Sequence, residues 1–534
     1  MFGNIKLNKK IAELTIENTR LKKDNEKMRI ENAALRKENN ELKQEMQQMM
    51  SNLDQRIAEA VEAAVAPLRA EIAKKDAEIE KLENEIIRLK GIINKDSSNS
   101  SKPPSQNGYK KVPNTREKSD RPSGGVPGHQ GHRLQLPKNM KELVEQGKAE
   151  IEVIDYTNGS QKYVSRWEID LKVVTVFREY RYELGAELPT EHYNEVSYGT
   201  NLKTLTILLS NEGIIAEERL KELYKSITHG IIEISDGTID KIIKQFSEKL
   251  DGELDRIRED LLNGNVMNTD DTPMKSTQRA VYGVDGKETG VETAERTTYN
   301  VCVRTHSNEQ STLYTVNPKK DKLGIERDGI LPKYIGSIVH DHEKKFYGYG
   351  SGHGTCVGHL VRELTGLHET QNRLFKKEAH STAWAAEMRG LLSEMNRHKN
   401  NDIAQGKKKC DGEKLSEYIN SYDKMLAEGW EDLASQNKNT PGYDTFRVLL
   451  KRMQEYKESY LLFMKNYEIP FTNNLSERDL RACKTKQKVS GCFRSWEGIC
   501  RYVRIRSFVS TLKKRSIDLY DAINLVWLGQ PVLD

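Results

Sequence analysis

Asn473-Asn474-Leu475-Ser476-Glu477-Arg478-Asp479-Leu480-Arg481 joins an acidic residue to the start of the most basic part of the chain. From Arg478 to Arg515 there are twelve Lys or Arg and two acids, Asp479 and Glu497. A carboxylate among cations is either a structural counter-charge or a ligand for a metal beside a phosphate backbone that the cations bind. Two further acids are predicted at strand ends. Asp270 stands in Asn268-Thr269-Asp270-Asp271-Thr272-Pro273, and Asp341 in Val339-His340-Asp341-His342. Strand-like runs are Val266–Thr269, Tyr299–Arg304, Thr312–Val316 and Ile335–His340. A Gly-rich loop from Tyr347 to Gly354 follows, then a helix from about Thr355. Residues 370 to 465 read as helix, with breaks at Lys407-Lys408-Lys409 and Pro441-Gly442.

Two strand-end aspartates and a helical glutamate are the parts of a two-metal phosphoryl-transfer site. Both the attacking and the leaving oxygen need stabilisation in line, and carboxylates hold the ions that supply it. Hard oxygen ligands favour Mg2+ or Mn2+. Asp270, Asp341 and Glu477 are therefore the candidate catalytic and metal-holding residues. Arg478, Arg481, Lys484, Lys486 and Lys488, just beyond Glu477, are the candidate DNA-binding residues. Each acid also has a plain reading. Asp270 and Asp271 precede Thr-Pro, which is turn chemistry, and Asp341 is an ordinary strand end. Asn474-Leu475-Ser476-Glu477 fits a capping-box variant, with Asn474 as N-cap and Glu477 at N3. Glu477 also suits an ion pair with Arg481 one turn on. On local pattern alone, capping is the stronger account of Glu477.

Three acidic segments tip the balance. Thr269-Asp270-Asp271-Thr272-Pro273, Asp341 with Tyr347-Gly348-Tyr349, and the stretch from Asn473 to Arg481 resemble the three acidic motifs of the insertion sequence 66 family of bacterial transposases. Ser97-Ser98-Asn99-Ser100-Ser101-Lys102-Pro103-Pro104-Ser105 and Gly124-Gly125-Val126-Pro127-Gly128-His129-Gln130-Gly131 resemble its amino-terminal motifs. The resemblance runs from about residue 97 to 515 in the family's order. It implies a ribonuclease-H-like fold and a DDE transposase activity. It also implies that the substrates are double-stranded DNA, as element terminal inverted repeats and target. Cys356-Val357-Gly358-His359 resembles a Cys/Asp-x-x-His signature of several transposase groups, where it supports the core. As a zinc site it is half complete, and Cys492 or Cys500 would have to finish it. The family usually carries a cysteine-rich module ahead of the core, but this chain has no Cys before Cys302.

The ends of the chain have other textures. Leu7, Leu14, Leu21, Met28, Leu35, Leu42 and Met49 occupy d of a heptad, and Ile11, Asn18, Asn25, Asn32, Asn39 and Met46 occupy a. This predicts a coiled coil, with the Asn residues pairing across a parallel dimer to set its register. The pattern slips near Leu53, Pro67 is expected to interrupt it, and it resumes from Ile72 to Ile93. Residues 94–137 are rich in Ser, Asn, Pro, Gly and Lys, with seven Lys or Arg against two acids from Lys102 to Arg133. That composition suits a disordered basic arm or a solvated tether. His129 and His132 read as loop residues. Alternation at Val174, Val176, Arg178, Tyr180 and Tyr182 predicts strands. Leu202–Leu209, Glu217–Lys225 and Gly237–Leu262 have helical spacing, which fits a helix-turn-helix or a plain helical packing domain.

The 534 residues carry a net charge of +5, 36% hydrophobic and 31% charged residues, which fits a soluble multidomain protein with much exposed helix. The chain has no apolar run long enough for a transmembrane helix and no signal-peptide core. Six cysteines without a CxxC pair suit a reducing cytoplasm. The expected fold class is multidomain: an N-terminal coiled coil, small β-rich and helical DNA-binding modules, and an α/β ribonuclease-H-like catalytic core interrupted by an all-helical insertion. The boundaries are coiled coil 1–93, arm 94–137, β-rich module 138–200, helical module 201–262, core 263–368, insertion 369–468, core with catalytic helix 469–515 and tail 516–534. The expected function is a DNA transposase, a homodimer or higher assembly, acting at the nucleoid of a bacterial cytoplasm. Its rivals are a DNA-binding protein without catalysis and a metal-dependent nuclease without strand transfer.

Overall fold

Strands of the chain converge on one central strand, β1 (Val266–Ser276). The others are β2 (Gln278–Tyr282), β3 (Glu288–Thr293), β4 (Tyr299–Ser307), β5 (Thr312–Asn317), β6 (Ser337–His340) and β7 (Gly352–Thr355). The computed structural model describes residues 2–93, 95, 135–155, 164–189, 192–374, 382–439 and 442–533. Five strands form a sheet in the order β5-β4-β1-β6-β7, and β2-β3 form a separate hairpin. β4 runs antiparallel to both β1 and β5. β6 runs parallel to both β1 and β7.

Helices α1 (Phe2–Ile93), α2 (Met140–Glu145), α3 (Thr200–Ile207), α4 (Glu217–Ile227), α5 (Asp236–Glu248) and α6 (Asp251–Asn263) precede the sheet. α7 (Lys322–Asp328) joins β5 to β6. α8 (Val357–Leu374), α9 (Ala383–Ala404), α10 (Gly412–Ser435), α11 (Tyr443–Glu455) and α12 (Lys457–Lys465) follow β7. α13 (Asn474–Ser490), α14 (Trp496–Lys514) and α15 (Leu519–Trp527) complete the chain. Among the described residues no helix is long and apolar enough to cross a membrane.

The chain divides into two units, Met1–Ile93 and Asn94–Asp534. The first is one helix of 92 residues, about 140 Å long at 1.5 Å per residue. Its heptad leucines are exposed, Leu7 at 60% and Leu21 at 59%. Pro67 lies inside this helix and does not interrupt it. A proline removes one backbone donor and crowds the preceding turn. Here that turn is Ala63-Ala64-Val65-Ala66, small side chains of mostly high helix propensity, which leave room for the ring.

In the second unit α3, α5 and α6 share a core with α14 and α15. Ile207, Phe246, Leu254 and Ile257 pack there with Phe508, Leu512 and Ile523. The predicted helix Gly237–Leu262 is two helices, broken at Lys249-Leu250, where Leu250 is fully buried in the bend. The expected tail is also part of this core. α15 buries Ala522, Ile523 and Val526, and the backbone N–H groups of Val532 and Leu533 donate to the Glu253 carboxylate at 3.1 and 2.9 Å. A second core joins α8 through α12, with Trp384 stacked on Phe446.

Two further expectations fail in the described residues. No strand forms within 138–200, where the only helix of the α type before Thr200 is α2. Val174, Val176 and Phe177 stay 62%, 61% and 82% exposed, because alternation becomes a strand only when a neighbouring strand accepts its hydrogen bonds and covers one face. The end of the Gly-rich loop is a sheet edge, β7, rather than coil. A Cβ on Gly354 would meet Ile469 at 2.7 Å, so glycine lets the segment before α13 press onto that edge. The motifs at 97–105 and 124–131, with His129 and His132, lie outside the described residues.

Candidate active site

The register of β1 and β6 sets the site. Val266 pairs with Ser337 and Asn268 with Val339 in parallel. Continuing that register by two residues brings Asp270 level with Asp341, which follows the last residue of β6. Asp270 is therefore interior to β1, which runs on to Ser276 against β4, yet it lies beyond the end of the β6 pairing. Burial, then the negative charges of Asp341 and Asp271, hold the Asp270 carboxyl well above the usual carboxylate range. The backbone N–H of Asp271, donating to Asp270 Oδ1 at 2.8 Å, and the nearby Lys484 ammonium oppose that shift. Burial also raises Asp341, against a hydrogen bond from Asn473.

The neighbouring acid Asp271 has a different fate. Side chains alternate along a strand, and Asp271 enters a buried ionic cluster. Lys320 and Lys345 each reach one of its carboxylate oxygens at 2.6 Å, and Arg304 approaches at 3.4 Å. Burial works against ionisation there, but the ammoniums of Lys345 and Lys320 keep the carboxyl below its usual range. Arg304 is fully buried and pairs also with Asp328.

α13 brings in Glu477. The helix begins at Asn474, so the N-cap is Asn473, whose side chain makes no capping bond. Glu477 falls one residue past N3, and the capping-box reading fails. Its recorded ion-pair partner is Arg362 of α8 at 4.0 Å, not Arg481. Glu477 Oε1 is buried with no hydrogen-bond partner. Asp479, two residues on, is the structural carboxylate of this helix. It accepts from Ser307 at 2.7 Å, Thr312 at 2.9 Å and Lys514 at 3.0 Å, fastening α13 to β4, β5 and α14.

Asn473, given no role in the sequence reading, ties the parts together. Fully buried, it donates through Nδ2 to the Thr269 carbonyl at 3.0 Å and to Asp341 Oδ1 at 3.4 Å. Its Oδ1 accepts from Asn268 Nδ2 at 2.9 Å. One side chain thus spans β1, the end of β6 and the start of α13. The only sequence signal was a second Asn beside the one that seemed to cap.

Cys356 and His359 open α8 beside these acids. Asp341, Cys356, His359 and Glu477 each offer a ligand atom, all within 4.8 Å of one another. Among the described residues this is the one such group, and neither Cys492 nor Cys500 belongs to it. His359 Nδ1 is buried without a hydrogen bond, 3.5 Å from Asp341 Oδ1. Burial, then the Arg362 charge, push the His359 imidazole below its usual range. A carboxylate oxygen of Glu477 and the imidazole Nδ1 of His359, both buried without hydrogen bonds in this group, fit a divalent cation, since buried polar groups otherwise find hydrogen-bond partners. Asp270 is outside this group but repels Asp341 across the strands.

The cations of α13 divide by face. Lys484 is close enough to Asp270 to draw its carboxyl down. Arg478, Arg481 and Lys488 are exposed. Lys486 is half-buried, 5.9 Å from the Tyr502 ring centroid, and burial lowers it while Glu217 of α4 opposes that. It belongs to the packing of α13 rather than to the acidic face.

Asn473→Ala should lower stability by roughly 2–4 kcal/mol, since the Asn268 amide and the Thr269 carbonyl lose a buried partner. Denaturant titration reads this as a lower midpoint at unchanged slope. An unshifted midpoint would mean that these bonds hold nothing.

A family model described as transposase IS66 family matches residues 196–500. A second, for a family of unknown function (DUF6444), matches residues 7–135. No curated protein and no solved structure matches the chain.

Proposed function

The chain belongs to the IS66 transposase family, a family of DNA-acting enzymes, and from this we propose that it cuts and joins DNA at insertion-sequence ends through a DDE triad of Asp270, Asp341 and Glu477. The observation that carries this reading is Glu477. A structural carboxylate is hydrogen-bonded, as Asp479 is; Glu477 keeps a buried oxygen without a hydrogen bond beside Asp341, with only the Arg362 guanidinium 4.0 Å away. The sheet supports a ribonuclease-H-like core, with β4 antiparallel to β1 and β5 antiparallel to β4 on one side, and β6 and β7 parallel to β1 on the other. The helical stretch α8–α12 between β7 and α13 supports an insertion that returns the chain to the site.

Asp270, Asp341 and Glu477 are the residues that would hold Mg2+ or Mn2+, their oxygen atoms suiting hard ions. Such ions, when bound, stabilise the attacking and leaving oxygens of an in-line displacement. Asn473 fixes one oxygen of Asp341 and leaves the other for ligation. Lys484 and Arg481 draw the DNA backbone to the acidic face. A water as nucleophile gives a nick, and a 3′-hydroxyl gives strand transfer, at one and the same site.

α1 is proposed to pair with a second copy as a parallel coiled coil. A single helix leaves its whole leucine stripe in water, and pairing lets Asn18, Asn25, Asn32 and Asn39 hydrogen-bond across the seam. The protein is proposed to work on nucleoid DNA in a bacterial cytoplasm.

Glu477→Gln keeps the shape and removes the charge. Because the side chain makes no structural hydrogen bond, folding should be unchanged while cleavage of labelled element ends falls by about 10³-fold or more. Nicked and joined products are scored separately, and a variant that cleaves at the wild-type rate returns Glu477 to a packing role. Removing residues 1–93 should turn the sedimenting species from a dimer into a monomer of the shortened chain; a shortened chain that still sediments as a dimer would place the dimer contact elsewhere. For DNA binding, alanine at Arg481 and Lys484 together should reduce the slope of log affinity against log salt by about two. Lys486→Ala should leave that slope as it was, and the reverse pattern would put the DNA on the other face of α13.

A further inference from the structure

Cys356 and His359 are not used by phosphoryl transfer on hard ions, yet they face its acids. We propose that Asp341, Cys356, His359 and Glu477 form a four-coordinate site for a thiophilic divalent ion of the zinc class. The proposal rests on the reading above only for its consequence, that such an ion competes with Mg2+ for Asp341 and Glu477.

The donor set is one sulfur, one imidazole nitrogen and two carboxylate oxygens. Zinc takes such mixed tetrahedral sets, whereas Mg2+ prefers oxygen ligands in an octahedron. Zinc bonds of about 2.0–2.3 Å put neighbouring ligand atoms about 3.5 Å apart. The four atoms already lie within 4.8 Å of one another, so side-chain shifts on the order of 1 Å close the set. Two of them, His359 Nδ1 and Glu477 Oε1, are buried without hydrogen bonds. Ligation to one ion satisfies both.

The backbone holds these ligands in place. Cys356 N–H donates to the His340 carbonyl at 3.0 Å, and His359 N–H donates to the Cys356 carbonyl at 3.2 Å. Cys356 stands immediately before α8 and His359 is its third residue, and their ligand atoms lie within 4.8 Å of each other. Val357 N–H donates to the Phe471 carbonyl at 3.0 Å, which binds this turn to the segment leading into α13 and Glu477. Cys356 is 1% exposed, and no other cysteine lies in the group. On binding, the Sγ–H bond gives its proton to solvent as the Sγ–metal bond forms, with no change of oxidation state.

Cobalt reports this geometry. Metal-free full-length protein is titrated with Co2+ alone, without DNA. The expected result is one equivalent bound, with the intense visible bands of four-coordinate cobalt and a near-ultraviolet thiolate-to-cobalt band. That band should vanish in Cys356→Ser, persist in Cys492→Ser, and be bleached by an equivalent of Zn2+. X-ray absorption of the zinc-loaded wild-type chain needs no variant and should find one sulfur among four ligands, so a Cys356→Ser chain that fails to fold does not weaken the test. A weak six-coordinate cobalt spectrum, a zinc shell without sulfur, or a thiolate band unchanged in Cys356→Ser overturns the site. If the cobalt band is absent while Mg2+-dependent cleavage persists, this inference fails and the transposase mechanism stands. If the band is present and cleavage is not, the outcome is reversed.

Discussion

Two like charges on neighbouring parallel strands are the constraint around which the second unit is arranged. Asp270 and Asp341 are level because β1 and β6 run parallel in one fixed register. A one-residue slip would turn Asp270 to the side of the sheet where Asp271 now sits. The register is guarded by Asn473, which reads the Thr269 carbonyl, the Asn268 amide and Asp341 at once. It is guarded also by the ionic cluster that anchors Asp271 to Lys320, Lys345 and Arg304. Holding two buried carboxylates together is unfavourable in itself, and both are pushed towards their neutral forms. The surrounding bonds resist the separation that would relieve it.

α13 shows how one helix serves several ends without conflict. Glu477 turns towards the acids, Asp479 towards β4, β5 and α14, and Lys486 towards Tyr502. The other end of the helix is fixed as well. Gln487 accepts from the Lys275 N–H at 3.0 Å, and Phe493 exchanges backbone hydrogen bonds with Lys275 of β1 and with Thr277 just past its end. The helix lies along β1 and is pinned near both ends. The direction of Glu477 is thereby set by contacts made by other residues.

Much of this was legible in the sequence because it was local. Short apolar runs mark β1, β4, β5 and β6, and the heptad marks α1. What stayed hidden depends on partners distant in the chain. The alternation around Val174 looked like strands, but alternation does not supply a neighbour. Asn474-Leu475-Ser476-Glu477 looked like a cap, but the helix starts one residue earlier than a cap at Asn474 requires. Lys486 looked like its exposed neighbours, but Tyr502 and Glu217 come to it from α14 and α4. Cys356 and His359 drew attention as a pair. Only the fold gives them Asp341 and Glu477 as companions, in place of Cys492 or Cys500.

The bond from Asn268 to Asn473 joins residues 205 positions apart, and this separation has a consequence for how the protein is made. Asp270, Asp341, Cys356 and His359 emerge from the ribosome well before Glu477. The α8–α12 bundle must be synthesised in between. A nascent or prematurely ended chain that stops within that bundle carries the aspartates but neither the glutamate nor the asparagine that steadies them. The acidic cluster therefore comes into being only in a nearly finished polypeptide, so partial translation products are incomplete at the proposed catalytic site.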